Sequence, residues 1–401
     1  MTRIRKGDAI RVFANLAFLS LGVFVFAIAV HGFTNGVDFN VYFAGGYLER
    51  IGKHFDQTAL IQDYLRNNHL VHSLAKAPFP FGSVVLISLV FVPLSHLSPS
   101  QAGVLLELAV AVVTVSALMR FDQRWQGLIV GLFLLNRFVI EASTIGNWSA
   151  ITIPLMFHAG FDIKNGSSKR AAIIIGMISA FKIYPAFLLI YFVAKQKYRE
   201  LCISMLTVVA MSIVSILIIG PQHFFHGAVV SISSKVPEAS KPFNHSLPGV
   251  FAAFNDSRLL LLVVSVVCVL IGCWIVFKFR SVGDYELFLL TLSLCYLVSP
   301  LSWNFYAISL LPVFVYLFSN SRSLTLKIAL SALVIWGVHW VLISRFVYDH
   351  LIVALAPTKP NWLMPFWLLP TYAAILCTYG LMRELRDRGG KLVELESRQA
   401  A

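Results

Sequence analysis

Asp38 stands in the segment GVDFNVYFAGGY, directly after the first long apolar run. A carboxylate at a membrane boundary is partly desolvated, which raises its pKa towards values useful to a general base. The same residue could instead cap the helix that follows it. Lys182 lies inside the apolar run IIIGMISAFKIYPAFLLIYF. A charge at that depth is costly and faces a cavity or a partner, for which a phosphate is suited; a lysine reaching back to the interface is the plainer alternative. In SPLSWNFYAISLLP, the residues Ser302, Trp303, Asn304 and Tyr306 form a polar and aromatic cluster. Such aromatics line membrane interfaces, and Trp and Tyr also stack on sugar faces. NHSLPG offers Asn244, His245 and Ser246, while Lys235, Lys241, Arg345 and Lys359 bring positive charge to segments expected outside. Cations there suit an anionic ligand such as a lipid phosphate, or lipid headgroups.

The elements that must position these residues are membrane helices. The chain of 401 residues is 58% hydrophobic and only 13% charged. Its mean hydropathy of +0.78 leaves no room for a large aqueous domain. Continuous apolar runs of about 20 residues match the hydrocarbon core, and only helices satisfy the backbone there within one segment. A barrel would need short alternating strands instead. The net charge of +13 is explained by basic cytoplasmic loops, and no folded basic face exists for nucleic acid. Cys202, Cys268, Cys273, Cys295 and Cys377 all sit in apolar runs without CxxC spacing, so neither a disulfide framework nor a metal site is expected. Phosphate-cradling Gly-rich motifs, HExxH and GxSxG are absent, and no cofactor is called for.

The expected architecture is an all-α polytopic bundle of about twelve transmembrane helices, a single membrane-embedded domain over 1–401. The first span, Val12 to Val30, follows the basic start MTRIRKGDAIR and reads as a signal anchor. The rest fall near 81–97, 101–119, 126–141, 148–161, 171–194, 201–219, 259–279, 285–300, 303–319, 324–344 and 363–382. Residues 31–80 form a first outer loop with two amphipathic helices lying along the membrane face. Further outer loops cover 220–258 and 345–361. Strict alternation would put the charged segments 120–125 and 162–170 outside. Placing both inside requires a re-entrant piece among 81–97 and a break near Lys182 and Pro185.

The ordered set of segments resembles glycosyltransferase family 87, of the GT-C membrane fold. The set is Asp38 with VY, APFPFGSVVLISLVFVPLSHLSPSQAGVLLEL, STIGNWSAITIPL, GMISAFKIYPAFLLIYFVAKQKYRE, NHSLPG and SPLSWNFYAISLLP. The resemblance implies a polyprenyl phosphate sugar donor and catalysis on the outer face. It implies inversion at the anomeric carbon, with an acidic base in the first outer loop, the position of Asp38. Lys182 matches the family's lysine before a proline, here with Ile183 and Tyr184 between. Asn244 and Ser246 match its N-x-S-L-x-G element. Two departures are visible. Asn304, Phe305 and Tyr306 stand where mannose-using members often carry a His after SPxSW, and Phe79 and Phe81 replace the Tyr and a Pro of a YPP element.

The sequence therefore reads as an inverting glycosyltransferase of a bacterial plasma membrane, with both termini cytoplasmic and the active site outside. It would move mannose, or next arabinofuranose, from polyprenyl phosphate to a lipid or glycan acceptor. Asp38 is the expected base. Lys182, Lys235, Lys241 and Arg345 are the expected phosphate ligands. Tyr42, Asn244, His245, Ser246, Trp303, Asn304 and Tyr306 are the expected sugar or acceptor contacts. No metal is expected, and the partners are the two substrates and membrane lipids. The rivals are a polymerase or ligase using a lipid diphosphate donor, and a non-enzymatic transporter.

Overall fold

The computed structural model describes residues 6–32, 36–53, 58–68, 83–121, 126–229, 244, 246–254, 258–299, 304–321, 323–328 and 369–400. Among them the chain is helical and carries no strand. The principal elements are α1 (Lys6–His31), α2 (Val37–Arg50), α3 (Thr58–Asn67), α4 (Val84–Leu94), α5 (Pro99–Leu118), α6 (Gln126–Leu134), α7 (Arg137–Thr144) and α8 (Ser149–Lys164). They continue with α9 (Ser168–Phe181), α10 (Tyr184–Ala194), α11 (Tyr198–Ile219), α12 (Leu247–Phe254), α13 (Arg258–Lys278), α14 (Asp284–Val298), α15 (Tyr306–Asn320) and α16 (Leu369–Ala400).

Four of these are long and apolar enough to cross a membrane: α1 over Arg11–His31, α5, α11, and α13 over Leu259–Lys278. Their outward side chains are apolar, with Phe13, Phe24, Val112, Leu206, Leu217, Leu259 and Leu270 all exposed. Water would oppose such a surface, whereas lipid tails match it. Several other expected spans are shorter or interrupted. The run 126–141 divides into α6 and α7 around Asn136. The run 171–194 breaks after Phe181 and restarts in a 3-10 turn over Tyr184–Leu188. Pro185 supplies the cause, since it donates no amide and disfavours helix in the residue before it. The 303–319 run opens in a 3-10 turn over Asn304–Leu310. The helix at 81–97 is α4, whose middle, Ile87–Phe91, is a π-turn. Its length of roughly 16 Å is about half of a hydrocarbon core. Most of 324–344 and all of 345–361 lie outside the described residues.

The chain divides into two compact units. The first holds 1–156, 180–182 and 206–235. In it α1 packs along α6 with the backbones nearly touching. A Cβ on Gly131 would lie 2.2 Å from the Phe18 carbonyl oxygen, and one on Gly127 would lie 2.5 Å from that of Asn15. Gly127 and Gly131 are a small-xxx-small pair, the spacing that lets membrane helices approach. Asn15 Oδ1 also accepts the Leu128 backbone N–H at 2.8 Å. The first-loop helices are present, but α2 does not lie open on a surface. Phe39, Val41, Tyr42, Phe43, Ala44 and Leu48 are buried. Gly46 rests on the Phe91 carbonyl of α4, where a Cβ would stand 2.3 Å from the oxygen. α3 is amphipathic, burying Ile61 and Leu65, and its Tyr64 ring packs 4.7 Å from Tyr47.

The second unit holds 157–179, 183–205 and 236–401. Its centre is α14, buried from Leu287 to Val298. The Phe288 ring fills the space that Gly160 leaves, 2.7 Å from where a Cβ would be. Tyr191 meets Phe288 edge-on at 6.0 Å. The 3-10 turns that open α10 and α15 are joined by Tyr184 stacked on Tyr306, 4.3 Å between centroids and 16° between planes.

Candidate functional site

The site in the first unit begins with the way α7 ends. Gly146 takes φ +68, the Asn147 N–H bonds the Ala142 carbonyl at 2.9 Å, and the Gly146 N–H bonds that of Ser143 at 3.2 Å. This is a Schellman cap, in which a residue of positive φ turns the chain and the next residue leaves the helix axis. The residue so presented is Asn147. The turn lies against the start of α2. The Asp38 N–H, a first-turn donor that α2 cannot satisfy itself, bonds the Ile145 carbonyl at 2.9 Å. Gly36 makes the approach possible, because a Cβ there would lie 2.3 Å from the Ile145 carbonyl carbon.

Asn147 Nδ2 donates to Asp38 Oδ2 at 2.5 Å. Its Oδ1 accepts from Lys182 Nζ at 2.8 Å and from the Ser149 backbone N–H at 2.8 Å. Lys182 Nζ also donates to Ser149 Oγ at 2.8 Å. Lys182 is 8% exposed, Asn147 6% and Ser149 not at all, so a half-buried carboxylate is joined to a buried lysine through one buried amide. The positive end of α2 favours the ionised form of a carboxylate in its first turn. Lys182 reaches the amide because α9 stops one residue earlier, and Ser83 Oγ donates to the Ala180 carbonyl at 3.2 Å. Aromatic rings wall the cluster. Trp148 meets Phe181 edge-on at 5.5 Å and Phe91 at 6.3 Å, and Tyr42 lies 5.4 Å from Phe91. The Trp148 indole N–H is buried with no partner among the described residues.

The structure thus brings Asp38 and Lys182 together, with Tyr42 a helical turn away from Asp38. Sequence reasoning passed over Asn147 and Ser149. They lie in the quoted GNWSA element, and a polar pair between two apolar runs is the signal that could have found them. Asn244 and Ser246 are in the second unit and form the start of α12. Ser246 Oγ accepts the Gly249 N–H at 3.0 Å, and Asn244 Oδ1 accepts the Ser246 hydroxyl at 3.0 Å. Gly249 leaves room for the Asn244 amide. An N-cap geometry of this kind explains why N-x-S-L-x-G occurs as a unit. Tyr306 is buried with one ring face covered by Tyr184. Lys235, Lys241, His245, Trp303 and Arg345 lie outside the described residues, as does the side chain of Asn304.

A second charged cluster sits in the second unit. Lys197 Nζ bonds Asp284 Oδ2 at 2.5 Å, and Lys195 Nζ stands 3.3 Å from Oδ1. Lys195 also donates to the Val282 carbonyl, and Lys197 to the Ser168 and Tyr191 hydroxyls. Burial pushes the Asp284 carboxyl up, but the hydrogen bonds and charges of Lys197 and Lys195 outweigh it and leave the group below its ordinary value. Among the described residues, no group of three or more His, Cys, Asp or Glu could hold a metal ion.

The model of glycosyltransferase family 87 matches residues 85–301, more than half of the chain. Asn147, Lys182, Asn244 and Ser246 fall within the match, and Asp38 precedes it. No curated protein matches the chain significantly.

Proposed function

We propose that this chain, which belongs to glycosyltransferase family 87, is an inverting transferase that uses a polyprenyl phosphate sugar. It is a membrane glycosyltransferase, and a family of that activity takes a sugar donor and an acceptor. The single observation that carries the finer reading is the buried amide joining Asp38 to Lys182. Inverting transfer from a lipid phosphate needs a base for the acceptor hydroxyl and a cation for the departing phosphate. The acceptor oxygen attacks the anomeric carbon as the bond from that carbon to the phosphate oxygen breaks. The hydroxyl proton goes to the Asp38 carboxylate, and the electron pair leaves with polyprenyl phosphate, whose charge Lys182 offsets. A positioned base contributes about 10²–10⁴-fold to such a step.

The finer assignments follow from the same chemistry. Tyr42 and the indole N–H of Trp148 are proposed contacts to the sugar. Lys235, Lys241 and Arg345 are proposed as further phosphate ligands. Asn244, His245, Ser246, Trp303, Asn304 and Tyr306 are proposed contacts to the sugar or acceptor. Mannose is the proposed sugar, with arabinofuranose next, and the acceptor is a lipid or glycan of the bacterial envelope, glycosylated on the outer membrane face.

The test is sugar transfer by the purified protein in nanodiscs. Radiolabelled polyprenyl phosphate mannose and polyprenyl phosphate arabinose are offered separately with an envelope lipid extract. Transfer from one donor, lost in Asp38→Asn, supports the reading and names the sugar. Transfer that survives Asp38→Asn removes Asp38 as the base. Failure to bind either donor turns the reading towards a lipid diphosphate polymerase or a transporter.

A further inference from the structure

Asn147 is uncharged, yet it holds both charged residues of the site. Its orientation is fixed by chemistry. Lys182 Nζ and the Ser149 backbone N–H, each 2.8 Å away, are donors, so the atom facing them must be the amide oxygen. The opposite assignment would set an NH₂ against an ammonium and a backbone N–H, and an oxygen 2.5 Å from a carboxylate oxygen. Network logic of this kind settles an amide's orientation. The N–H group is therefore turned onto Asp38 Oδ2.

We propose that Asn147 is the positioning residue for the base. The inference rests on Asp38 acting as that base. The donated N–H holds the carboxylate plane in one orientation and favours its ionised form, the form that accepts a proton. Lys182 and Ser149 hold the amide, and the amide holds the base. Asn147 touches neither substrate in this scheme; it acts through Asp38. The charged side chains that bond Asn147 are Asp38 from α2 and Lys182 after α9, and Glu141 lies on α7.

Two substitutions separate this role from a structural one. Asn147→Asp keeps an acceptor for Lys182 and Ser149 but replaces the donor to Asp38 with a second carboxylate. Asn147→Ser is neutral and too short to reach Asp38. Misplacing a reacting group by about 1 Å costs about 10²-fold. With the full-length protein in nanodiscs and the donor that supports wild-type transfer, Asn147→Asp should lower kcat about 10²-fold at pH 8. The donor KM is read on Asn147→Ser, because the carboxylate of Asn147→Asp also pairs with Lys182 and weakens its charge towards the donor phosphate. The Asn147→Asp deficit should shrink as the pH falls, because two adjacent carboxyls come to share a proton and an O–H again donates to Asp38. Asn147→Ser should lose kcat similarly, with KM unchanged and no recovery at low pH. Gel filtration and thermal melting establish folding, and where Asn147→Asp does not fold, Asn147→Ser decides. Wild-type kcat in the folded variants, or a loss carried wholly by KM, overturns the proposal. So does an Asn147→Asp deficit equal at every pH. Asp38→Asn run in parallel keeps the two readings apart. An active Asp38→Asn brings down the base and this inference with it. An inactive Asp38→Asn beside fully active Asn147 variants brings down this inference alone.

Discussion

Two regions of the molecule end a helix in the same way and put the next side chain on the same kind of target. After α7, Gly146 at φ +68 turns the chain and Asn147 meets Asp38 in the first turn of α2. After α10, Gln196 at φ +56 turns it, the Lys197 N–H bonds the Phe192 carbonyl at 2.8 Å, and Lys197 meets Asp284 at the start of α14. The difference lies in what is presented. Lysine on a carboxylate is a direct ion pair, and two lysines on Asp284 lower its affinity for a proton and occupy its oxygens. Such a carboxylate serves as a fastening. An amide on a carboxylate orients it without cancelling its charge, and the lysine stands behind the amide. That arrangement suits a carboxylate that must take a proton and a cation that must meet an anion.

The contrast breaks most sharply on the two aspartates. Asp38→Asn should abolish transfer, a loss of at least about 10³-fold in kcat with the melting temperature nearly unchanged. Asp284→Asn should leave kcat within about twofold and cost about 1 kcal/mol of stability, because its pairs are partly exposed. Radiolabelled transfer and thermal melting on both variants decide it; equal effects on activity would erase the distinction. Lys182→Met should lower kcat/KM by about 10²-fold, part of it through a loosened Asn147, whereas Lys197→Met should change it less than about threefold. Steady-state kinetics at varied donor concentration separates the two.

The turns themselves give a smaller pair of effects. Gly146→Ala forces an alanine into a left-handed conformation at about 1–2 kcal/mol and shifts Asn147 off Asp38. Activity should fall about tenfold, with a lower melting temperature. Gln196→Gly relieves the same conformation and should stabilise the fold by up to about 1 kcal/mol, read as a slightly higher melting temperature, with unchanged kinetics. The smallest effect is a pH dependence. The folded Asp284 carboxyl lies below its unfolded value. Its stabilisation is therefore complete above the unfolded carboxylate pKa of about 3.9 and is lost as the pH falls through the folded value. Wild-type protein should melt above Asp284→Asn at pH 7, and the gap should close below about pH 4. A gap that widens on acidification would contradict the sign of the shift.

What the sequence made legible were charges in costly places. Asp38 and Lys182 stand out because lipid makes ionised groups expensive, and Pro185 marks the break that frees Lys182 from a helix. Asn147 did not stand out, because a neutral amide in a short turn carries little of that cost. Its importance comes from partners 109 and 35 positions away, a relation that no local pattern encodes. The helix interruptions show the same limit. Hydropathy sees 126–141 as one run, but Asn136 divides it. α4 is apolar enough to resemble a span, yet its π-turn and its contact with Gly46 make it a short support for α2. N-x-S-L-x-G was readable as a unit, and the structure gives the unit a helix-capping role.

The separation between Asp38 and its partners also sets a timetable for biosynthesis. A ribosome adds about 5–20 residues per second, so Asp38 enters the membrane on the order of ten seconds before Lys182 is made. During that interval the insertion machinery holds a nascent chain whose acid has been delivered and whose matching cation has not. Transcripts truncated between the two codons would leave the acid without the lysine for good. Those truncated beyond codon 182 would carry the whole charge network, and the difference should be visible in how quickly membrane proteases clear each product.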